Sequence, residues 1–116
     1  MQEFKPFTEE RPWGDFRQFT HNNLSTVKIL FIKKGDAFSL QYHNLRTEFW
    51  RILSGNPEVT VGGKTIKAKQ GDEFAVPQKT PHRIHAIDSD TQILEISSGN
   101  FDEGDIVRLE DKYGRA

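Results

Sequence analysis

The stretch GDAFSLQYHNLRTEFWRILSG, residues 35–55, decides the fold prediction because it holds two strand-like runs on either side of a short polar turn. Side chains two residues apart in a strand share a face, so Gln41 and His43 point to the same side of the first run. After the turn at 44–46, Glu48 begins the second run. A hairpin of this shape would bring Gln41, His43 and Glu48 together on one concave surface.

The same pattern continues on both sides of this hairpin. Short runs rich in Val, Ile, Phe and Thr alternate with glycine, proline and asparagine, which is typical of an all-β sandwich or barrel. No run keeps a helical apolar period over two turns, and there is no internal repeat. The predicted strands are Gly14–Thr20, Ser25–Ile32, Phe38–His43, Thr47–Ser54, Glu58–Val61, Lys64–Ala68, Glu73–Val76, His82–Ile87 and Thr91–Ser97.

Composition excludes several classes of protein. The chain has no cysteine, so a disulfide scaffold, a CxxC redox pair, a thiolate zinc site and a cysteine nucleophile are ruled out, and any metal must be bound by nitrogen and oxygen. Lys and Arg number 16 and Asp and Glu 17, with no dense basic run, so we expect no nucleic-acid partner. The amino terminus lacks the apolar stretch of a signal peptide, and no segment is apolar enough for a membrane span, so we expect a cytoplasmic protein without membrane contact.

The two ends differ from the strand-rich middle. Residues 1–13 are polar with scattered aromatic side chains, and we expect them to lie as an arm across the barrel surface. Residues 99–116, GNFDEGDIVRLEDKYGRA, form a charged tail that we expect to fold back onto the barrel. With 116 residues and no linker between these parts, we predict a single domain over 1–116.

A second segment, GDEFAVPQKTPHRIHA at 71–86, adds His82 to the candidate cluster. Alternation places His82 on the same face as Ile84, so its imidazole can face the interior that His43 and Glu48 also face. Two imidazoles, a carboxylate and an amide oxygen suit a divalent metal ion. A single histidine in a strand is more often packed or solvated, and the pattern by itself leaves that alternative open.

The spacing within these segments resembles the two motifs of the cupin superfamily. The first motif matches at Gly35, Gln41, His43, Glu48 and Gly55, and the second at Gly71, Pro77 and His82. There are two departures, since Gln41 stands in place of the first motif's first histidine and Lys79 where the second usually has glycine. The resemblance implies the cupin double-stranded β-helix, a jelly-roll barrel.

Within the cupins, the chain resembles the type II mannose-6-phosphate isomerase domain, which in larger relatives follows a mannose-1-phosphate guanylyltransferase domain. Four stretches carry this resemblance: RPWGDF at 11–16, FSLQYHNLRTEFW at 38–50, VPQKTPHRI at 76–84 and SSGNFDEGDIVRLEDKYGR at 97–115. It implies a metal-dependent isomerase that interconverts mannose 6-phosphate and fructose 6-phosphate. By analogy with small cupins, we also expect a homodimer.

The resemblance implies a set of site residues as well. The metal ligands are expected to be Gln41, His43, Glu48 and His82 around one divalent ion, with zinc as the first expectation and manganese, cobalt, nickel or iron as alternatives. The family signature QxHxxRxEHW assigns Arg46 a part in activity. Where that signature has Glu-His-Trp, this chain has Phe49, which alternation places on the face opposite Glu48.

A sugar phosphate also needs cations for its phosphate group, and the planar fork of arginine suits this task. Arg11 and Arg115 are the candidates, while no residue is singled out as the catalytic base. Three other functions stay open: a sugar-binding cupin without catalysis, an isomerase or epimerase of a nucleotide-linked sugar, and a non-haem iron dioxygenase that uses His43, Glu48 and His82 as its facial triad.

Overall fold

The computed structural model describes residues 4–99 and 101–110, and the expected all-β class is confirmed. These ranges contain no helix, and hence none that could span a membrane. The predicted strands at 25–32, 58–61 and 73–76 are confirmed residue for residue. The strands are β1 Phe7–Arg11, β2 Gly14–Gln18, β3 Ser25–Ile32, β4 Leu40–Tyr42, β5 Glu48–Ser54, β6 Glu58–Val61, β7 Lys64–Lys67, β8 Glu73–Val76, β9 His82–His85, β10 Thr91–Ser98 and β11 Val107–Glu110.

Two antiparallel sheets enclose the core. One has the strand order β3-β10-β5-β8 and the other β11-β4-β9-β6-β7, so neighbours in space are mostly distant in sequence. The apolar side chains that alternate inwards from both sheets pack between them and are removed from water. The buried core consists of Ile32, Trp50, Ile52, Val59, Ala68, Val76, Ile84, Ala86 and Ile93.

The amino-terminal arm is more regular than the sequence indicated, because β1 pairs with β2 in an antiparallel hairpin. Phe4 and Phe19, which flank this hairpin, each pack against Phe49 with ring centroids 5.7 Å apart. Arg17 of β2 forms a bidentate ion pair with Glu73 of β8. The hairpin is therefore attached to the outer face of the four-stranded sheet.

The carboxy-terminal segment adds a strand to the barrel, since β11 pairs with β4. Just before this strand, the carboxylate of Asp105 accepts the backbone N–H groups of Asn44 and Leu45 at 2.8 and 3.0 Å. These bonds fix the turn between β4 and β5. That turn carries residues of the candidate metal cluster at both of its ends.

Two tight turns require a left-handed backbone. Gly55 has φ of +89°, and a Cβ there would lie 2.6 Å from the carbonyl oxygen of Asp90, so only glycine fits. Lys79, at the position where the second cupin motif usually has glycine, has φ of +60°. Its backbone N–H donates to the carbonyl oxygen of His43 at 2.7 Å, which ties the turn before β9 to the candidate ligand.

Candidate metal centre

Three side chains from separate strands converge at one end of the barrel. His43 follows β4, Glu48 begins β5 and His82 begins β9. Glu48 Oε2 lies 3.3 Å from His43 Nε2, and its Oε1 lies 3.9 Å from His82 Nε2. Each side chain is at most 2% exposed, and one candidate ligand atom from each lies within 4.8 Å of the other two.

Both imidazoles are held with Nε2 directed at this cluster. His43 Nδ1 lies 2.6 Å from the carbonyl oxygen of Asp105, and His82 Nδ1 lies 2.9 Å from that of Thr80. A carbonyl oxygen can only accept, so each Nδ1 carries the proton and each Nε2 is left with a lone pair. This arrangement is common in metal-binding histidines.

The protonation state of these two histidines also favours the binding of a cation. Burial lowers the pKa of His43 and of His82, so the neutral, metal-binding form is favoured. His82 Nε2 is buried without a hydrogen-bond partner in the described part of the chain, which costs free energy unless another group binds it. Two neutral imidazoles beside a carboxylate are a donor set that a divalent ion such as zinc would fit.

Gln41 stands next to this cluster on the neighbouring strand. Its backbone pairs with His82 in the β4–β9 ladder, so the two side chains share the inward face. Its Oε1 accepts a hydrogen bond of 2.5 Å from the hydroxyl of Ser39. The position agrees with a ligand role for Gln41, which stays a prediction.

Arg46 is buried in the cluster and is not a solvated turn residue. Its side chain is 7% exposed, and its Nε donates to Glu48 Oε2 at 3.0 Å. Nη2 lies 3.2 Å from His43 Nε2, which accepts that hydrogen bond because it carries the lone pair. The guanidinium also lies over the ring of Phe101, with its carbon 4.3 Å from the ring centroid.

Glu48 is fixed from a second side by Trp50, whose Nε1 donates to Oε1 at 3.1 Å. Trp50 is fully buried and fills the barrel interior. Phe49 lies between them in sequence and faces the other way, where it packs under the amino-terminal hairpin. The departure from the family signature at Phe49 therefore falls outside the cluster.

A cavity of about 200 Å³ opens beside the cluster and is lined by Gln41, Arg46, Glu48 and His82. Its remaining walls come from residues that the sequence pattern did not single out, namely Lys28, Leu30, Phe38, Glu95, Phe101, Glu103 and Ile106. A larger cavity of about 320 Å³ lies against the amino-terminal hairpin, but no residue of the cluster lines it. The smaller cavity is thus the candidate site.

Glu95 is the most informative of the missed residues. Its side chain is buried, and burial together with the negative charge of Glu48 raises the pKa of Glu95 to about 7. A sequence signal existed, since a lone glutamate stands in the apolar run ILEIS of β10, at a position where alternation with Ile93 directs it inwards. Strict alternation from Gln41 would direct Phe38 to the opposite face, but its ring packs on Trp50 and His82, because regular strand begins only at Leu40.

Arg11, one of the two arginines expected to bind phosphate, does not line this cavity. Arg11 ends β1, forms an exposed ion pair with Glu9 and lies over the ring of Phe16. Arg115 lies outside the described residues. Arg108 is instead placed beside the site, because it pairs with Gln41 in the β11–β4 ladder, and its Nε is buried without a hydrogen bond in the described ranges.

Comparison with known proteins agrees with this geometry. A family model described as mannose-6-phosphate isomerase C-terminal matches residues 3–111. The chain belongs to this family. A mannose-1-phosphate guanylyltransferase of Klebsiella pneumoniae is 36% identical over 107 residues, which cover 90% of this chain and 23% of that protein. The alginate biosynthesis protein AlgA of Pseudomonas aeruginosa is also 36% identical, over 90% of this chain and 22% of its own length.

The chain therefore spans about a quarter of the length of the curated relatives it matches. Solved structures confirm the predicted cupin fold. A cupin protein from Bacteroides fragilis is 26% identical, with a TM-score of 0.60 over 67% of this chain and 70% of its own. Oxalate decarboxylase from Bacillus subtilis superposes with a TM-score of 0.68 at 22% identity, over 75% of this chain and 24% of its own, which is a likeness of fold alone.

Proposed function

We propose that this domain binds one divalent metal ion through His43, Glu48 and His82, with Gln41 beside them, and interconverts mannose 6-phosphate and fructose 6-phosphate. The observation that carries the proposal is the orientation of the two imidazoles. Both donate Nδ1–H to backbone carbonyls and aim Nε2 at the same carboxylate, and one of those Nε2 atoms has no partner. The membership of the isomerase family supports the choice of reaction.

The reaction moves a proton between C1 and C2 of the open-chain sugar through an enediolate. A bound divalent ion would polarise the carbonyl and stabilise the developing negative charge on its oxygen. Arg46, already in the cavity wall and always charged, can donate to a substrate oxygen and orient it. The apolar ring of Phe38 also lines the cavity and packs on Trp50.

The phosphate group needs a separate cation at the cavity mouth. We propose Arg108 for this role in place of Arg11, because residues directly opposite in an antiparallel ladder share a face and Arg108 is opposite Gln41. Its Nε has no hydrogen-bond partner within the described residues and could donate to a phosphate oxygen. Lys28, which lines the cavity, is a second cation within that wall.

The direct test is an isomerase assay on chelated and metal-reloaded protein. Fructose 6-phosphate formation is measured without oxygen after reloading with zinc, manganese, cobalt, nickel or iron(II). We expect turnover only with metal, and loss of both metal and turnover in His82→Ala. Arg108→Met should raise KM for mannose 6-phosphate more than it lowers kcat, since it removes binding to a non-reacting part of the substrate.

Companion assays on the same protein, with a nucleotide-linked sugar or with oxygen present, separate the other candidate functions. Metal-loaded protein that binds mannose 6-phosphate without turning it over would support a sugar-binding cupin. Turnover of a nucleotide-linked sugar alone would support the related isomerase or epimerase. Oxygen consumption with iron(II), without fructose 6-phosphate, would support a dioxygenase, and each of these results would contradict the proposal.

A further inference from the structure

The cavity contains a buried carboxylate, that of Glu95, which is not among the proposed metal ligands. Glu95 lies in the middle of β10, where the buried side chains alternate inwards, and its own side chain is 8% exposed. In the described part of the chain, no hydrogen bond or ion pair reaches its carboxylate. A buried charged group without a partner costs free energy, so its presence needs another explanation than stability.

The neighbours of Glu95 do not pair with its carboxylate because they bind other groups. Across the β10–β5 ladder it faces Trp50, whose indole N–H is already donated to Glu48. Across the β10–β3 ladder it faces Lys28, whose ammonium group lies 3.2 Å from Glu103 and 4.1 Å from the ring centroid of Phe101. The groups that could neutralise Glu95 are thus engaged elsewhere, while its carboxylate lines the cavity.

The other side chains of this cavity wall that could accept a proton already take part in hydrogen bonds, an ion pair or the proposed metal site. Glu48 accepts from Arg46 with Oε2 and from Trp50 with Oε1, and it is a proposed metal ligand. His82 directs its only lone pair at the cluster. Glu103 is paired with Lys28 and its side chain is 81% exposed, where water screens it. Among the described residues that line the cavity, Glu95 alone is both shielded from water and free to accept a proton.

We infer that Glu95 is the general base of the reaction, and this inference rests on the proposed isomerase function. Its carboxylate takes the proton from C2 of mannose 6-phosphate, and the C–H electron pair forms the C1=C2 double bond while the carbonyl oxygen becomes an enediolate oxygen. A proton passes from the C2 hydroxyl to that oxygen, which leaves the negative charge on the C2 oxygen. The C2 oxygen then forms the new carbonyl while the C1=C2 electron pair takes the proton back from Glu95 at C1, so the carboxylate is regenerated and no other reactant is consumed.

The environment of Glu95 suits both halves of this cycle. A base works best when its pKa lies near the operating pH, and burial moves that of Glu95 in this direction. A water-poor wall also slows exchange of the transferred proton with solvent, so part of it is returned to C1 and part is released to water.

The test compares Glu95→Gln with Glu58→Gln, a carboxylate on β6 that does not line the cavity, in metal-loaded protein. Mannose 6-phosphate labelled with deuterium at C2 is supplied, and fructose 6-phosphate formation and deuterium release into water are followed. Glu95→Gln should keep its metal content and bind the substrate but lose kcat by about 10²–10⁴-fold, the usual contribution of a general base. Glu95→Asp should retain part of the activity, which also guards against a folding defect in the first variant.

Three results are distinguishable. Loss of kcat and of deuterium release in Glu95→Gln, with Glu58→Gln within a few-fold of the unmodified protein, supports the inference. Normal kcat in Glu95→Gln, or an equal loss in Glu58→Gln, overturns it while the isomerase function stands. If the unmodified metal-loaded protein forms no fructose 6-phosphate and releases no deuterium, the proposed function fails and the inference fails with it.

Discussion

Arg46 donates hydrogen bonds to the same atoms that would coordinate a metal ion. It donates to Glu48 Oε2 and to the lone pair of His43 Nε2, so its guanidinium and a cation compete for these two ligands. Metal binding therefore requires Nη2 to leave His43, and this movement would turn a donor group towards the cavity. Arg46 thus binds two of the candidate ligands when no metal is present, and it is placed to contact the substrate when a metal is bound.

Arg46→Met tests this competition. The metal affinity should be equal to or higher than that of the unmodified protein, while kcat should fall by about 10²-fold, since one charge-stabilising donor is lost. In chelated protein the same variant should be less stable by about 3 kcal/mol, because it leaves Glu48 as a buried charge without its cation. Metal titration, turnover and thermal unfolding check the three parts; loss of metal affinity or normal turnover would contradict the assigned role.

Lys79 has an unfavourable backbone conformation, because its φ is +60° in the turn before β9. Left-handed backbone disfavours a side chain with a Cβ, whereas glycine adopts it freely. Lys79→Gly should raise the free energy of unfolding by about 0.5–1 kcal/mol. Lys69→Gly, in an exposed turn where φ is not positive, should lower it, and denaturant titration of both variants distinguishes the two effects.

At the scale of the elements, alternation predicted most strands because each has one face towards the core. Strands β1 and β11 were not predicted: β1 is exposed at every position and so has no face towards the core, and β11 pairs with β4, which is distant in sequence. The cluster of His43, Glu48 and His82 followed from spacing. The cavity walls did not, because Lys28 lies opposite Glu95 in the β10–β3 ladder and against the ring of Phe101, and these contacts join distant parts of the chain.

The segment before β11 supports the turn that carries His43 at its start. Asp105→Ala removes the carboxylate that accepts the N–H groups of Asn44 and Leu45, and should lower the metal affinity by about 10-fold because supporting bonds orient the ligand. Asp102→Ala is the matched control, since among the described residues that carboxylate accepts a hydrogen bond from Gly104 alone, within its own segment. Calorimetric metal titration compares them; equal affinity in both variants would exclude the supporting role.

The amino-terminal hairpin is attached through Glu73, whose pKa is lowered chiefly by the hydrogen bonds from Arg17 and further by Arg51. A depressed folded pKa stabilises the protein above the unfolded value of 4.5 and loses this effect as the pH falls through the folded value. Glu73→Gln should therefore be destabilised at neutral pH, with the difference shrinking under acidic conditions. Thermal unfolding against pH measures this, with Glu9→Gln in the exposed pair of the same hairpin as control.

At the scale of the whole molecule, the candidate site lies at one end of the barrel, and strand β3 presents a second, exposed surface. β3 lies at the end of its sheet, and its outward side chains Val27, Ile29 and Phe31 are more than half exposed. Edge strands of this kind are pairing surfaces. The homodimer expected by analogy stays a prediction, and this strand is where we expect it to form.

The metal content of the folded chain tests the central claim most directly. Elemental analysis is made on the purified unmodified protein and on His43→Ala, His82→Ala and His85→Ala after equal exposure to zinc. His85 lies on the outer face of the same strand as His82 and is the matched control. We predict one metal ion per chain in the unmodified protein and in His85→Ala, and none in the other two variants. A metal-free unmodified protein, or a His82→Ala variant that keeps its full metal content, would contradict the account.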